Sequence, residues 1–327
     1  MWGNRLGWVI SLVIVLAYGF VMGWLLRGAG TVSPPTEFAR AEGRGARLHL
    51  PAGAQAGMPA MSDACDAAAL YREAIALYRA DRATYDAFAE TGRPGTPEAA
   101  ELAAVDRLVA AAGCAGMKVF ADRPADVVRY GPPDDLHALR RLGDIAAVRL
   151  GLNYKRVNNA REATRYLQAA FALGAKLFEE RLTYAEAELG LELMSKSAPA
   201  LLDLAEQAQD AARLAELRQF EDFRKRLVTE DVQPMVGVLR SVDAAVVGRH
   251  AGDVFYFADH APERMWRVEA IFALGRMRYF VGTDGRLGDQ RGATERLQAY
   301  LNDADPIVRL AARAALDLTL EQYRMLG

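Results

Sequence analysis

The side chains best suited to chemistry crowd into one stretch, from Gly248 to Arg264. There His250, Asp253, Asp259 and His260 place two imidazoles and two carboxylates within 11 residues, a donor set that zinc or iron accepts. The competing reading makes them exposed polar residues of a loop between two helices, with Asp259 capping a helix that starts near Pro262. That second reading is favoured, because nothing nearby supplies a second shell or repeats a ligand on a fixed helix face. His49 and His137 stand apart from any partner motif. No phosphate-cradling glycine loop, nucleophile elbow, zinc-protease motif or CxxC pair occurs. The expectation is therefore no catalytic activity, no cofactor and no metal, with a metal-dependent enzyme using residues 250–260 as the alternative.

Cys65 and Cys114 are the only thiols, too few for a disulfide framework or a four-cysteine zinc site. Cys65 falls in the first turn of a long helical pattern that begins at Asp63. Cys114 follows Gly113, at the end of the next helix. Consecutive helices joined by a short turn run antiparallel, which brings the start of one toward the end of the other. About 29 residues separate Cys65 from the turn near Pro94, and about 20 separate that turn from Cys114. The mismatch is roughly 13 Å at about 1.5 Å per residue. A bridge with α-carbons within about 7 Å thus requires the first helix to begin later or to bend. Two independent buried thiols are the equal alternative.

These residues belong to a chain of 327 residues with 40 Lys+Arg against 42 Asp+Glu, 52% hydrophobic and 25% charged. That balance excludes a disordered chain and a polybasic nucleic-acid binder. The arginine spots Arg140-Arg141 and Arg224-Lys225-Arg226 alternate with acids at helical spacing and read as solvated helix faces. No nucleic-acid partner is expected.

Leu6 to Leu26 carries no charge over 21 positions, roughly 31 Å of helix and enough to cross a bilayer core of about 30 Å. Arg5 and Arg27 bracket it, and Trp8 and Trp24 sit near its ends, where amphipathic rings favour the headgroup layer. The span is too long, and Arg27-Gly28-Ala29-Gly30 too poor a cleavage site, for a signal peptide. Residues 1–27 are therefore expected to be a single-pass anchor in the cell membrane, with the bilayer as partner through residues 6–26. Gly19 and Gly23 form a GxxxG spacing that offers a face for a homodimer of anchors. Arg27, Arg40 and Arg44 lean toward a cytoplasmic C-terminal domain under the positive-inside rule. The very short N-terminal tail and the cysteines favour the extracytoplasmic (periplasmic) side, which is the side chosen. Residues 28–62, rich in Gly, Ala and Pro without a sustained period, read as a flexible tether.

From Asp63 onward the apolar period is helical. Ala67, Leu70, Tyr71, Ala74, Leu77 and Tyr78 follow it, Ser62 is placed to cap it, and Gly92 to Gly95 ends it. The best strand candidate, Asp253 to Phe257, reads equally well as a helix start. The soluble part is expected to be all-α.

Two repeat patterns stand out. In residues 150–174, Leu150-Gly151, Tyr154, Ala163, Leu167 and Ala170 follow the spacing of a helical hairpin turned at Asn158-Asn159, and the stretch resembles a tetratricopeptide unit. In the C-terminal part, Pro306, Arg309, Ala312, Ala315 and Leu316 resemble the second helix of a HEAT repeat. Arg267, Ala270, Ala273 and Leu274 repeat the pattern 42 residues earlier, inside the HEAT range of about 40–47. The resemblance implies a membrane anchor followed by an α-α superhelix, a solenoid of TPR-like hairpins over 63–215 and HEAT-like hairpins over 216–327, as in membrane-anchored bacterial helical-repeat proteins. Such arrays present extended binding surfaces, so a scaffold or adaptor for a protein or peptide partner is the expected function. A purely structural envelope spacer is the other alternative.

Overall fold

The computed structural model describes residues 48–91, 102–120, 134–241, 250–281, 287–288 and 292–326. The expected anchor Leu6–Leu26, with Gly19 and Gly23, lies outside them. Among the described residues no helix is long and apolar enough to cross a membrane.

The described chain is helical. In order it comprises α1 Ala67–Ala80, α2 Arg82–Thr91, α3 Ala103–Ala112, α4 Asp134–Asp144, α5 Leu152–Arg156, α6 Ala160–Glu180, α7 Tyr184–Gln207, α8 Ala211–Arg226, α9 Gln233–Leu239, α10 Ala251–His260, α11 Arg264–Met277, α12 Ala293–Tyr300, α13 Pro306–Asp317 and α14 Leu320–Leu326. π-helical segments at Ile145–Gly151 and Leu227–Val232 continue α4 into α5 and α8 into α9. The described extended structure is an antiparallel ladder of two residues a side, β1 Phe280–Val281 with β2 Leu287–Gly288, and one bridge between Ser62 and Cys114.

Several sequence expectations are corrected. The first helix starts at Ala67, not Asp63, because the Asp66 carboxylate, rather than the Ser62 hydroxyl, caps it by accepting the N–H groups of Ala68 and Ala69 at 3.0 and 3.2 Å. Ser62 is held elsewhere: its N–H reaches Gly113 O at 2.8 Å, and its own carbonyl takes the N–H of Ala115 at 2.9 Å. The helix then breaks at Asp81, whose φ of −139° is far from helical. The domain boundary drawn at 215/216 falls inside α8, which runs without a break into the π-helical segment. The stretch 250–260 is not a loop but the helix α10.

The hairpin read from residues 150–174 is made by small residues in close approach. A Cβ on Gly151 would stand 2.7 Å from the Leu167 side chain. Leu150, Gly151, Ala163, Leu167 and Ala170 are buried, and Tyr154 stacks on Tyr166 with centroids 5.7 Å apart. Asn158 turns the chain at φ 57°, and Asn159 caps α6 by accepting the N–H of Glu162. The next crossing, α6 on α7, is tighter. A Cβ on either Gly174 or Gly190 would lie 2.6 Å from the other's carbonyl oxygen, so the two backbones touch.

In the C-terminal part, α13 starts with Asp305 accepting the N–H of Ile307, followed by Pro306, and it packs on both α11 and α12. Arg267 reaches the carbonyl of Ala258 and the carboxylate of Asp303. Ala270, Ala273, Leu274, Ala312 and Ala315 are buried, while Leu316 is half-buried and Arg309 exposed. Ala315 faces Gly275 of α11, where an added Cβ would stand 3.1 Å from its own Cβ. Buried apolar residues from Leu48 to Tyr323 form one continuous core.

Candidate functional site

The four candidate ligands do not converge. Asp253 is fully buried and pairs with His250 Nδ1 at 2.8 Å. Six residues further on, Asp259 points to Arg296 and Tyr300 of α12. His260 stacks on Tyr256 at 4.8 Å and shares its Nδ1 with the Tyr256 carbonyl. Helical geometry explains the split, since residues 253 and 259 are about 600° apart around the axis at about 100° per residue. Among the described residues no group of three or more His, Cys, Asp or Glu side chains is arranged to hold a metal.

The cysteines do meet. Cys65 and Cys114 form a disulfide with α-carbons 5.4 Å apart. Of the two ways to absorb the length mismatch, a later start or a bend, the structure has both: the first helix begins after Cys65, and it breaks at Asp81. Below the bridge, fully buried Lys176 of α6 donates to Ala111 O at 3.0 Å and Cys114 O at 2.6 Å. Its ammonium closes the C-terminal end of α3, where unpaired carbonyls favour a cation.

A second buried polar group joins the two halves. Glu269 of α11 accepts the N–H of Tyr184, the first residue of α7, at 3.1 Å, and pairs with Arg240 at 3.4 Å. Tyr184 stacks on Trp266 with centroids 6.0 Å apart, and burial pushes its hydroxyl up to about 12. Glu186 takes the N–H groups of Leu182 and Thr183. The N-terminus of α7 is therefore filled by the chain's own carboxylates.

The arrangement with most binding character lies on the seam between α6 and α8, whose floor includes the edge-to-face pair Phe171 and Phe220 at 4.9 Å. Residues 48–58, expected to belong to a tether, are laid along it. Ala52–Gly57 forms a 3-10 turn, and Leu48, Ala54 and Met58 are buried. The correction has a physical cause. Gly53 and Gly57 lack the side chains that would hold the segment off: a Cβ on Gly57 would sit 2.5 Å from the Phe171 ring, and one on Gly53 would sit 2.8 Å from the Glu216 carbonyl oxygen. The helices grip this strap by its main chain. Gln168 Nε2 donates to Met58 O at 2.7 Å, Arg213 Nε donates to Ala56 O at 3.0 Å, and Glu179 Oε1 accepts the Leu50 N–H at 2.7 Å. Glu179 also meets His49 at 3.2 Å. Burial holds the Arg213 guanidinium below its usual range. Nothing in the sequence marks Gln168, Glu179 or Arg213 as special. The available signal was the four-residue spacing of Gly53 and Gly57, which composition alone turns into flexibility.

No protein-family model matches this chain, and no curated protein or solved structure matches it significantly.

Proposed function

We propose that this chain is a membrane-anchored helical-repeat scaffold or adaptor that binds a protein or peptide partner. The observation that carries the reading is the α6–α8 seam, where helix side chains hold an irregular segment through its carbonyl and amide groups. Main-chain gripping of this kind gives receptor surfaces affinity for a peptide, while pockets for its side chains add specificity. The close-packed hairpins at Gly151 and Gly174 support a repeat-like array. The uncharged stretch Leu6–Leu26 supports attachment to a bilayer. The Cys65–Cys114 disulfide supports an extracytoplasmic domain, because reducing compartments do not maintain such bonds.

The test is affinity capture of the full-length protein from detergent-solubilised membranes, with identification of what co-purifies. A partner recovered in stoichiometric amount, and lost when the soluble domain is removed from the anchor, is the expected result. Recovery of the chain alone, at bait levels that saturate the resin, would exclude the adaptor role.

A further inference from the structure

The strap on the α6–α8 seam has the features of a bound peptide. Gln168, Arg213 and Glu179 contact its backbone at Met58, Ala56 and Leu50, Glu179 also meets the His49 ring, and the side chains of Leu48, Ala54 and Met58 are buried. Selectivity resides in the two glycines. At Gly57 any Cβ meets the Phe171 ring, and at Gly53 any Cβ meets the backbone carbonyl of Glu216. The seam thus admits a segment carrying glycine at two positions four apart, with apolar side chains buried at its ends where Leu48 and Met58 lie. It also has one donor to spare, since the buried Nη2 of Arg213 has no acceptor among the described residues.

Building on the adaptor reading above, we propose that the α6–α8 seam is the peptide-binding site and that residues 48–58 occupy it in cis as a built-in competitor. The partner presents a segment of the same chemistry, two glycines four apart among small residues and flanked by apolar side chains. The strap is tethered just ahead of Ser62, which the Gly113 and Ala115 backbone holds in place. Its effective concentration at the seam is therefore of order millimolar or higher, and a partner segment engages only when it outcompetes the strap.

The experiment uses the full-length chain in detergent and a fluorescent peptide with the sequence of residues 48–59, read by anisotropy. The wild-type chain, its seam filled, should bind the peptide weakly. Gly57→Val expels the strap by its clash with Phe171 and should bind the wild-type peptide at least ten-fold more tightly. A peptide carrying the same Gly57→Val change should not bind. Adding Arg213→Met to the Gly57→Val chain should weaken the peptide again by several-fold. Equal binding by the wild-type and Gly57→Val chains, or none by a Gly57→Val chain of unchanged helix content, would overturn the proposal. If Gly57→Val loses helix, Gly53→Val, which clashes with α8 instead of α6, is read in the same way. Loss of fold in both variants would show the strap to be core and overturn the proposal too, as would a wild-type dimer with exchanged straps. Peptide binding without any captured partner would sink the adaptor reading and leave the seam intact. A captured partner without peptide binding would do the reverse.

Discussion

The ammonium of Lys176, fully buried in α6, lies 2.6 Å from the carbonyl oxygen of Cys114 and holds the end of α3 beside the disulfide. Burial lowers its pKa from 10.5 to about 8. The geometry makes it a structural donor: both bonds run to backbone carbonyls, and the Tyr71 ring centroid lies 5.9 Å away.

Lys176→Met keeps most of the volume and removes the donor, leaving the Cys114 carbonyl without this bond while the Ala111 carbonyl keeps the N–H of Cys114. The expected loss is about 1–3 kcal/mol at pH 7, measured by urea unfolding. The pH dependence has a definite sign. Between pH 8 and 10.5 the unfolded chain retains a proton that the folded chain has released, so the folded state gains stability as pH rises. The difference between parent and Lys176→Met should be flat below pH 8 and widen from there to 10.5. A difference that narrows over this window would contradict the assignment.

The Cys65–Cys114 bridge closes a loop of sequence separation 49. In the chain-entropy account a loop of this size contributes about 4 kcal/mol. Cys65→Ala and Cys114→Ala should each lower the unfolding free energy by a similar amount, as should reduction of the parent. Non-reducing peptide mapping of native material should recover Cys65 and Cys114 in one linked species. Two free thiols there would remove the argument for an extracytoplasmic domain.

What could be read in the residues, and what could not, divides along a physical line. Periodicity and turn chemistry act locally, so the all-α class, the Asn158-Asn159 turn and the buried faces of α6 and α13 were legible. Contacts between distant segments carry no local signature. Glycine at 53 and 57 has the composition of a flexible linker, and only the position of Phe171 and Glu216 turns it into close packing. Asp259 looks like a ligand or a cap until Arg296 and Tyr300 arrive from α12. The break at Asp81 is one of the two alternatives that the cysteine spacing allows, yet no residue there announces it.

In α13, Ala312 is fully buried. Ala312→Glu should cost about 3 kcal/mol or more, since it adds volume to a filled site and buries a charge without a partner. Arg309→Glu, on the exposed face of the same helix, should change stability much less, and thermal melts of the two variants provide the comparison. Equal melting temperatures would mean that this helix does not bury the face assigned to it.

The contact between Gly275 and Tyr323 offers the sharpest test of the C-terminal packing. Tyr323 of α14 is buried, and its hydroxyl donates to Ala315 O at 3.0 Å. It passes so close to α11 that a Cβ on Gly275 would lie 1.9 Å from the hydroxyl oxygen and 2.9 Å from the ring carbon bearing it. Gly275→Ala must therefore push the ring away and break the bond to Ala315, although alanine is the better helix former. The expected loss is about 1–3 kcal/mol, with faster proteolysis around residues 318–323 as α14 detaches. Tyr323→Phe alone should cost about 1 kcal/mol for the lost hydrogen bond. In the double variant the oxygen responsible for the closest clash is gone, so its loss should be smaller than the sum of the two single losses. Strict additivity, measured by denaturant unfolding, would mean that Gly275 and Tyr323 do not touch in solution and that the Tyr323 side chain is not seated between α11 and α13.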